Sequence, residues 1–509
     1  MFSKFYISTP VSTALYTVKY RGSRCLGSLY RSIYIFHHIP YQHISSLTGI
    51  RISFIGETVA TGKQHGTTRC KILPINQRTG EMEDAEPRLF NSINPGEVSR
   101  EMPALQNIMG FDVIECASID SMHTVFIGAV KALFMRWFKT PSKETYYMGK
   151  AGLDLANKII NRIKPMEGMQ RSSGKRADLH THWKAIDWRN WFYLISAMVL
   201  DAAVHAKMLH KKYLIHWLLF VRGVSYLDSE IVTKDDIERA NYNLRLFVKQ
   251  MPVLYGKRWV TGNYHLLLHL PQSVEYLGPL WSTSLFIHES FNQQILNGFR
   301  PGTQGMMQQI FERFQWISMI PHLYSSMRPI IPSSPAYRLA ESFLPSSGRA
   351  GVPEPSGKQS LLNTEDFVGI LCASNSVDIV NTIVKLTKNA ETVASYSRVH
   401  LNGRIYTTAS YDENHNWKKR RCLFVTDEEN YGEIVGIFSV NNVLFVAVKY
   451  LDTSRNFNDM LYLPHAARFK RREIVSIENT EDLRCQPAII LENDYNQIVA
   501  KLPNYFEGS

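Results

Sequence analysis

The chain has 509 residues, of which 45% are hydrophobic and 20% are charged. This composition excludes a disordered or fibrous chain and is sufficient for about two to four globular domains. The net charge of +12 favours an anionic partner such as nucleic acid, and no uncharged apolar run reaches the ~18 residues that a membrane-spanning helix needs.

The cysteines are spread along the chain, and no two lie within four residues of each other. They are Cys25, Cys70, Cys116, Cys372, Cys422 and Cys485. Since there is no CxxC pair and no dense framework, we interpret them as reduced thiols of an intracellular protein.

The N-terminal segment is basic and has an unusual composition. Residues 1–56 contain no Asp or Glu and six Lys and Arg. A mitochondrial transit peptide shares this composition. Tyr, Ile and His are too frequent for a regular targeting helix, however, so we favour an ill-defined start of the reading frame, such as translated intronic sequence. Residues 61–100 are rich in turn residues, and we predict that the segment 1–100 is largely disordered.

The middle of the chain has the apolar spacing of helices. In SMHTVFIGAVKALFMRWF (121–138) apolar residues recur every three or four positions, and the pattern continues to about Arg328. Thr233, followed by Asp235 and Asp236, predicts a helix start. We therefore predict a helical domain over residues 101–330.

The C-terminal part has the pattern of β-strands. After a Pro/Gly/Ser-rich linker, predicted over residues 331–389, Asn402-Gly403 lies between two alternating runs and predicts a hairpin. A second pair of strands is predicted around Asn441-Asn442. The fold class is therefore α+β multidomain: a mostly α-helical middle region and a small, all-β, barrel-like domain over residues 390–509.

Two histidines and a glutamate are candidate site residues. His265 and His269 are four residues apart, and Glu289 follows twenty residues after the second histidine. A His pair at this spacing lies on one helix face and is able to hold one metal ion with further ligands. The alternative is an amphipathic helix whose histidines are satisfied by ordinary hydrogen bonds.

Positive charge is concentrated between residues 131 and 190, where thirteen Lys and Arg stand against five Asp and Glu. This stretch is either a solvated surface or a contact surface for DNA phosphates. The candidate DNA-binding residues are Arg162, Lys164, Arg171, Lys175, Arg176 and Lys184. The nearby Trp183, Trp188 and Trp191 are predicted core residues.

Two short basic clusters lie in the β-rich region. They are KKRR (418–421) and KRR (470–472). Each is either exposed turn charge or a nuclear import signal. A nuclear location is the expectation that agrees with DNA binding.

Four sequence segments follow one another along the middle of the chain. They are GFDVIECASIDSMHTVFIGAVKALFMRWF (110–138), HWKAIDWRNWFYL (182–194), LYGKRWVTGNYHLLLHLPQSVEYLGPLWSTSLFIHESFNQQI (254–295) and GFRPGTQGMMQQI (298–310). Together they resemble the transposases of the CACTA, Mirage and Chapaev group of DNA transposons, which are En/Spm-like. The C-terminal residues 390–509 look like the β module that ends many such proteins.

The resemblance implies a ribonuclease H-like catalytic core with a helical insertion. In the family, two aspartates and a glutamate bind two Mg²⁺ or Mn²⁺ ions for phosphoryl transfer on DNA. A separate zinc site pairs a CxxC with two histidines. Residue by residue, His265 and His269 match the zinc histidines and Glu289 matches the catalytic glutamate. A homodimer is a further possibility that the family raises.

The remaining family residues are missing from the sequence. No Asp precedes Asp84, no CxxC is present, and Asp120 falls in a segment that follows the zinc cysteines of the family, so it is not assigned as catalytic. One carboxylate cannot place two cations ~3.5–4 Å apart. As written, the chain is therefore expected to hold no cofactor and to be catalytically inactive.

We thus expect a transposon-derived, transposase-like protein that still binds DNA or chromatin. One alternative is an active cut-and-paste transposase whose catalytic aspartates belong to an N-terminus that the sequence lacks. A second alternative is a protein-interaction scaffold without a nucleic-acid role.

Overall fold

The structure is a computed structural model. It describes residues 118–141, 143–166, 169, 176–296, 306–327, 353–356, 360–361, 394–414, 420–440, 443–456, 459 and 461–505. The predictions for residues 1–100 lie outside these ranges.

The first described region consists of helices, as the sequence predicts. Helix α1 comprises a π-helical part, Met122–Val130, and an α-helical part, Lys131–Phe138, and α3 comprises Ala185–Asn190, a π-helical part Trp191–Ile195, and Ser196–His205. The other helices are α2 (Gly149–Ile160), α4 (Lys211–Leu227), α5 (Lys234–Tyr255), α6 (Gly262–Leu266), α7 (Leu270–Leu277), α8 (Phe286–Leu296) and α9 (Met306–Met327). Single 3₁₀ segments occur at Ala177–His182, Lys257–Trp259 and Leu280–Thr283.

The predicted start of helix α5 is confirmed in detail. The Thr233 hydroxyl accepts a hydrogen bond from the Asp236 amide at 3.2 Å, and the Asp236 carboxylate accepts one from the Thr233 amide at 3.0 Å. This reciprocal pair satisfies two amides that the first helical turn leaves without a partner. The helix ends at Gly256, whose φ of 91° favours a residue without a Cβ.

Aromatic side chains form much of the core of the helical region. Phe134 of α1 packs edge-on against Trp188 and Trp191 of α3, with ring centroids 5.1 and 5.2 Å apart. Trp188 and Trp191 are almost fully buried, and Trp183 packs against the same core. The three tryptophans are therefore core residues, as predicted.

The second described region consists mainly of antiparallel strands. They are β1 (Glu354–Ser356), β2 (Ser360–Leu361), β3 (Ala394–Ser395), β4 (Arg398–Leu401), β5 (Arg404–Thr407), β6 (Leu423–Thr426), β7 (Tyr431–Val440), β8 (Val443–Ser454), β9 (Ala466–Asn479), β10 (Cys485–Pro487), β11 (Ile489–Glu492) and β12 (Gln497–Ala500). Strands β1 and β2 lie within the predicted linker, and a short helix, α10 (Ala409–Asn414), interrupts the region predicted as all-β.

The larger sheet is nearly closed on itself. Its strands follow the order β10-β6-β7-β8-β9-β12-β11. Only Ala488 separates β10 from β11 in the chain, so the two ends of this order lie side by side. The α+β class and the barrel-like character of the C-terminal region are thus confirmed.

Both predicted hairpins are present. Asn402 and Gly403 have φ of 50° and 73° between β4 and β5, as a tight two-residue hairpin turn requires. Strands β7 and β8 pair up to Val440 and Val443, on either side of the predicted second turn.

The helices and the sheet share one hydrophobic core. Leu463, Ile489, Leu491 and Ile498 of the β-rich region belong to the same buried cluster as the core of the helical region. The helical and β-rich regions are therefore packed together over apolar surface.

His465 links the two regions by two hydrogen bonds. Its Nε2 lies 2.8 Å from the carbonyl oxygen of Tyr193 and must donate to it. Its Nδ1 lies 3.0 Å from the Ser225 hydroxyl and accepts from it. In the neutral imidazole, each ring nitrogen thus has a hydrogen-bond partner. Burial lowers the pKa of His465 to about 4.

A buried arginine forms a second link. The Arg189 side chain has no exposed surface, and its Nη2 donates to the carbonyl oxygen of Asn504 at 3.0 Å. The same nitrogen lies 3.9 Å from the carboxylate of Asp228, which is also fully buried. The Asn504 amide donates to the Asp228 carbonyl oxygen at 2.9 Å. Asn504 is thereby held between α3 and the end of α4.

We predict that the protein loses stability as the pH falls from 7 towards 4. Burial also lowers the pKa of His216 to about 4. Below the usual histidine pKa of about 6.5, the unfolded chain binds a proton at His216 and at His465 while the folded chain does not. Each histidine then reduces the free energy of unfolding by on the order of 3 kcal/mol at pH 4.

Urea unfolding at pH 7 and pH 5 measures this effect. His465→Gln, which keeps one N–H donor, should reduce the dependence of the unfolding free energy on pH. The control is His210→Asn at the exposed start of α4, which should leave the dependence as in the parent. An unchanged dependence in His465→Gln would show that His465 is not a neutral buried group.

We predict that Arg189→Met lowers the free energy of unfolding by about 3–5 kcal/mol, because it leaves the buried Asp228 carboxylate without its cation. The exposed pair of Arg176 with Asp178 provides the control, since Arg176→Met removes a cation that water already solvates. Chemical denaturation of both variants compares the two sites. Equal losses in the two variants would rule out a special role for Arg189.

Candidate functional site

Asp120 initiates helix α1 and fixes the position of α8. Its Oδ1 accepts hydrogen bonds from the amides of Met122 at 3.1 Å and Leu285 at 3.0 Å, and its Oδ2 accepts one from the amide of His123 at 2.9 Å. The bonds from the Met122 and His123 amides satisfy N–H groups of the first helical turn, as a capping aspartate does. The bond from the Leu285 amide joins residues 165 positions apart in the sequence.

His123 completes a short chain of charged groups. Its Nδ1 lies 2.6 Å from Asp120 Oδ2 and donates to it, so its Nε2 points away from Asp120. Nε2 lies 3.9 Å from Oε1 of Glu289 on α8. The side chains of His123 and Glu289 are 54% and 52% exposed, so a ligand in solution has access to both.

The electrostatics favour the protonated form of His123. The hydrogen bond to Asp120 is the largest cause that raises its pKa, and the charge of Glu289 contributes in the same direction. When protonated, the imidazolium can donate to an anionic oxygen. When neutral, its Nε2 can accept a proton, because Asp120 holds the tautomer with the hydrogen on Nδ1.

The side chains of His265 and His269 lie close together. Their Nε2 atoms are 3.2 Å apart, and both side chains are half-buried. This separation is close to the ~3.3 Å between two nitrogens on one tetrahedral zinc with Zn–N of about 2.0–2.1 Å. In the described ranges, however, no group of three or more His, Cys, Asp or Glu side chains is arranged to hold a metal. The described residues therefore do not fit a closed zinc site.

Helix α6, which carries His265, packs against α1. The Tyr264 hydroxyl donates to the Ala129 carbonyl oxygen at 3.2 Å. Gly128 allows the close approach, because a Cβ there would lie 2.4 Å from Nδ2 of Asn263. Only His265 lies on α6, whereas His269 lies in the turn before α7. The expectation that the two histidines share one helix face is therefore wrong, because the helix is interrupted between them.

Among the described residues, Asp120 does not supply a second metal-binding carboxylate near Glu289. Each oxygen of Asp120 accepts two hydrogen bonds, from Met122 and Leu285 on one oxygen and from His123 twice on the other. A carboxylate oxygen has about two lone-pair positions, so none is left for a cation. Asp120 therefore positions His123 and α8.

The structure separates the predicted DNA-binding residues into groups. Lys164 and Lys184 have exposed side chains. Arg162 pairs with Asp494 of the β-rich region at 2.6 Å, and Arg176 pairs with Asp178 at 3.0 Å. Arg171 and Lys175 lie outside the described residues.

Two arginines of the basic stretch, Arg136 and Arg189, are buried. Arg189 has a structural role, because its Nη2 donates to the carbonyl oxygen of Asn504. Lys158 and Arg162 both donate hydrogen bonds to the Asp494 carboxylate, and these bonds lower its pKa. The charge available to a ligand is therefore smaller than the sequence total indicates.

Sequence reasoning did not assign Asp120 and His123 to the site. Their spacing, three residues apart at the start of an apolar periodic run, is the available signal for a capping aspartate. Their proximity to Glu289 depends on the contact between α1 and α8, which no short-range pattern contains.

Comparison of the chain with protein-family models, with curated proteins and with solved structures finds no match. Within the described ranges, none of the helices combines the length and apolar character needed to cross a bilayer. The function must therefore be inferred from the site itself and from the sequence resemblance.

We predict that Asp120→Asn lowers the pKa of His123 towards 6.5, because the carboxylate supplies the main stabilisation of the imidazolium. An NMR titration of the His123 ring measures it. The matched control, Glu289→Gln, removes the weaker and more distant charge and should cause a smaller decrease. A larger decrease in Glu289→Gln would identify Glu289 as the principal partner.

Proposed function

We propose that the chain is a transposon-derived, transposase-like protein that binds DNA without cutting it. The observation that supports a common origin of the segments is their mutual packing. Phe126 of the first segment contacts Phe192 and Tyr193 of the second and Phe286 of the third, with ring centroids 5.8–5.9 Å apart. Residues that resemble one protein family thus form one folding unit.

In this proposal the helices α1 to α8 are what remains of a ribonuclease H-like core with its helical insertion. Glu289 is the ancestral catalytic glutamate, and His265 and His269 are the ancestral zinc histidines. In this proposal the protein does not cleave DNA, because the single family carboxylate, Glu289, cannot place the two metal ions that the family reaction requires. Asp120 does not replace a missing aspartate, since its oxygens accept hydrogen bonds from three amides and one imidazole.

DNA binding is assigned to the exposed cations of residues 131–190. Among the described candidates, Lys164 and Lys184 have exposed side chains that contact DNA phosphates in this proposal. Arg162 contributes when it releases Asp494 and binds a phosphate instead. Such contacts are independent of sequence and weaken as salt displaces them. A nuclear location follows from a DNA partner. The exposed Lys470 and Arg471 on β9 belong to the candidate import cluster.

We predict that a labelled DNA duplex binds the protein at low salt, as measured by fluorescence anisotropy. The double variant Lys164→Gln/Lys184→Gln should reduce the slope of log affinity against log salt by up to about 2, because each phosphate contact contributes about 0.9. The control is Lys234→Gln/Lys249→Gln, which removes the same charge from exposed positions of α5.

Two outcomes would contradict this assignment. If both double variants weaken binding equally, the affinity comes from net charge and not from Lys164 and Lys184 in particular. If the parent shows no affinity at low salt, the DNA-binding function is wrong and the scaffold alternative is favoured.

The absence of cleavage is tested separately. A supercoiled plasmid incubated with the protein and Mg²⁺ or Mn²⁺ should remain intact. Nicking that Glu289→Gln abolishes would instead favour an active transposase.

A further inference from the structure

A small pocket lies where the end of α1 meets the 3₁₀ segment Lys257–Trp259. Its volume is about 40 Å³. Its lining residues are Arg136, Thr140, Pro141, Tyr146, Arg258 and Trp259. A cavity needs about 10–15 Å³ of such space to hold one water molecule, so this pocket has room for a few waters, for one small anion or for the terminal group of a larger ligand.

Arg136 is a buried cation whose hydrogen bonds are incomplete. Its side chain is 6% exposed. Nη1 donates to the Tyr264 hydroxyl at 3.3 Å and Nη2 to the Trp259 carbonyl oxygen at 3.5 Å, both long and both to neutral acceptors. Its Nε–H group is buried and has no hydrogen-bond partner among the described residues.

Among the described residues, no negative charge balances the buried Arg136 guanidinium. It has five N–H donors, and a buried charge is ordinarily paired with an opposite charge. In the described ranges, Arg136 forms no ion pair with a carboxylate. The Trp259 ring, 4.3 Å from Cζ of Arg136, gives partial compensation through its π face.

A second arginine contacts the same tryptophan ring. Cζ of Arg258 is 4.6 Å from the Trp259 ring centroid, and the Arg258 side chain is exposed. The pocket thus combines a fixed inner cation with an outer cation that solvent can reach. The exposed Thr140 also lines the pocket, and its hydroxyl is a third type of donor.

We propose that this pocket binds a phosphate group, with Arg136 as the buried cation and Arg258 as the cation at the rim. Two guanidiniums match the charge of a phosphate, and the planar fork of N–H donors suits its oxygens. The phosphate belongs either to free inorganic phosphate or a phosphate ester, or to a DNA backbone. In the second case the inference rests on the proposed DNA-binding function.

The primary test is calorimetric titration of the whole protein with inorganic phosphate, with acetate as the comparison anion. Phosphate should bind, and Arg258→Gln should reduce the affinity for phosphate by about tenfold, since a hydrogen bond between charged groups is lost. The control Lys234→Gln removes an exposed charge from α5 and should leave the affinity unchanged. Arg136→Gln should abolish binding, and circular dichroism shows whether that variant still folds.

A second titration with a DNA duplex distinguishes the two sources of phosphate. If Arg258→Gln weakens duplex and phosphate binding alike, the pocket receives a backbone phosphate. If only inorganic phosphate is affected, the ligand is a free phosphate or an ester.

The pocket proposal and the DNA-binding proposal can fail separately. Duplex binding that Arg258→Gln does not alter, together with no phosphate binding, overturns the pocket proposal alone. Equal weakening of phosphate binding by Arg258→Gln and Lys234→Gln also overturns it. Phosphate binding without duplex affinity overturns the DNA-binding proposal alone.

Discussion

The contact between helices and sheet depends on a guanidinium that is shielded from water. Arg189 binds the carbonyl oxygen of Asn504 and lies beside Asp228, and both charged side chains are fully buried. Removing charges from water is costly, so this arrangement is stable only while α3, the end of α4 and the C-terminal end of the chain are all in place. His465 also requires both regions to be folded, because its neutral ring donates to the Tyr193 carbonyl oxygen and accepts from the Ser225 hydroxyl. The β-rich region is thus part of what stabilises the helical region.

This dependence limits how the basic stretch can be interpreted. Part of its positive charge serves the fold: Arg189 lies inside, and Lys158 and Arg162 hold Asp494 of the β-rich region. Charge that is neutralised by a fixed partner attracts a polyanion less than its formal count implies. The proposed DNA contact of Arg162 competes with its ion pair to Asp494. Salt would weaken both the competing ion pair and the DNA contacts.

Local patterns predict much of the secondary structure, because the interactions that produce it are local. Thr233 and Asp236 form their capping pair within one turn, and Asn402-Gly403 supplies the two positive φ angles of its hairpin. The candidate site depends instead on contacts between distant residues. Asp120 reaches the Leu285 amide across 165 positions, and this bond brings Glu289 near His123. A capping pattern predicts the first turn of α1 but not its neighbour in space.

The same bond explains why the Asp120 carboxylate, which is separated from Glu289 by the His123 ring, is not directed at a metal ion. A catalytic aspartate needs lone pairs directed at a cation, whereas Asp120 directs its lone pairs at three backbone amides and one imidazole. Moving it to a cation would release the start of α1 and the start of α8 together. The structural role of Asp120 therefore opposes a catalytic one. The groups that remain accessible, the His123 Nε2 and the Glu289 carboxylate, are suited to proton transfer or to binding a ligand at the surface.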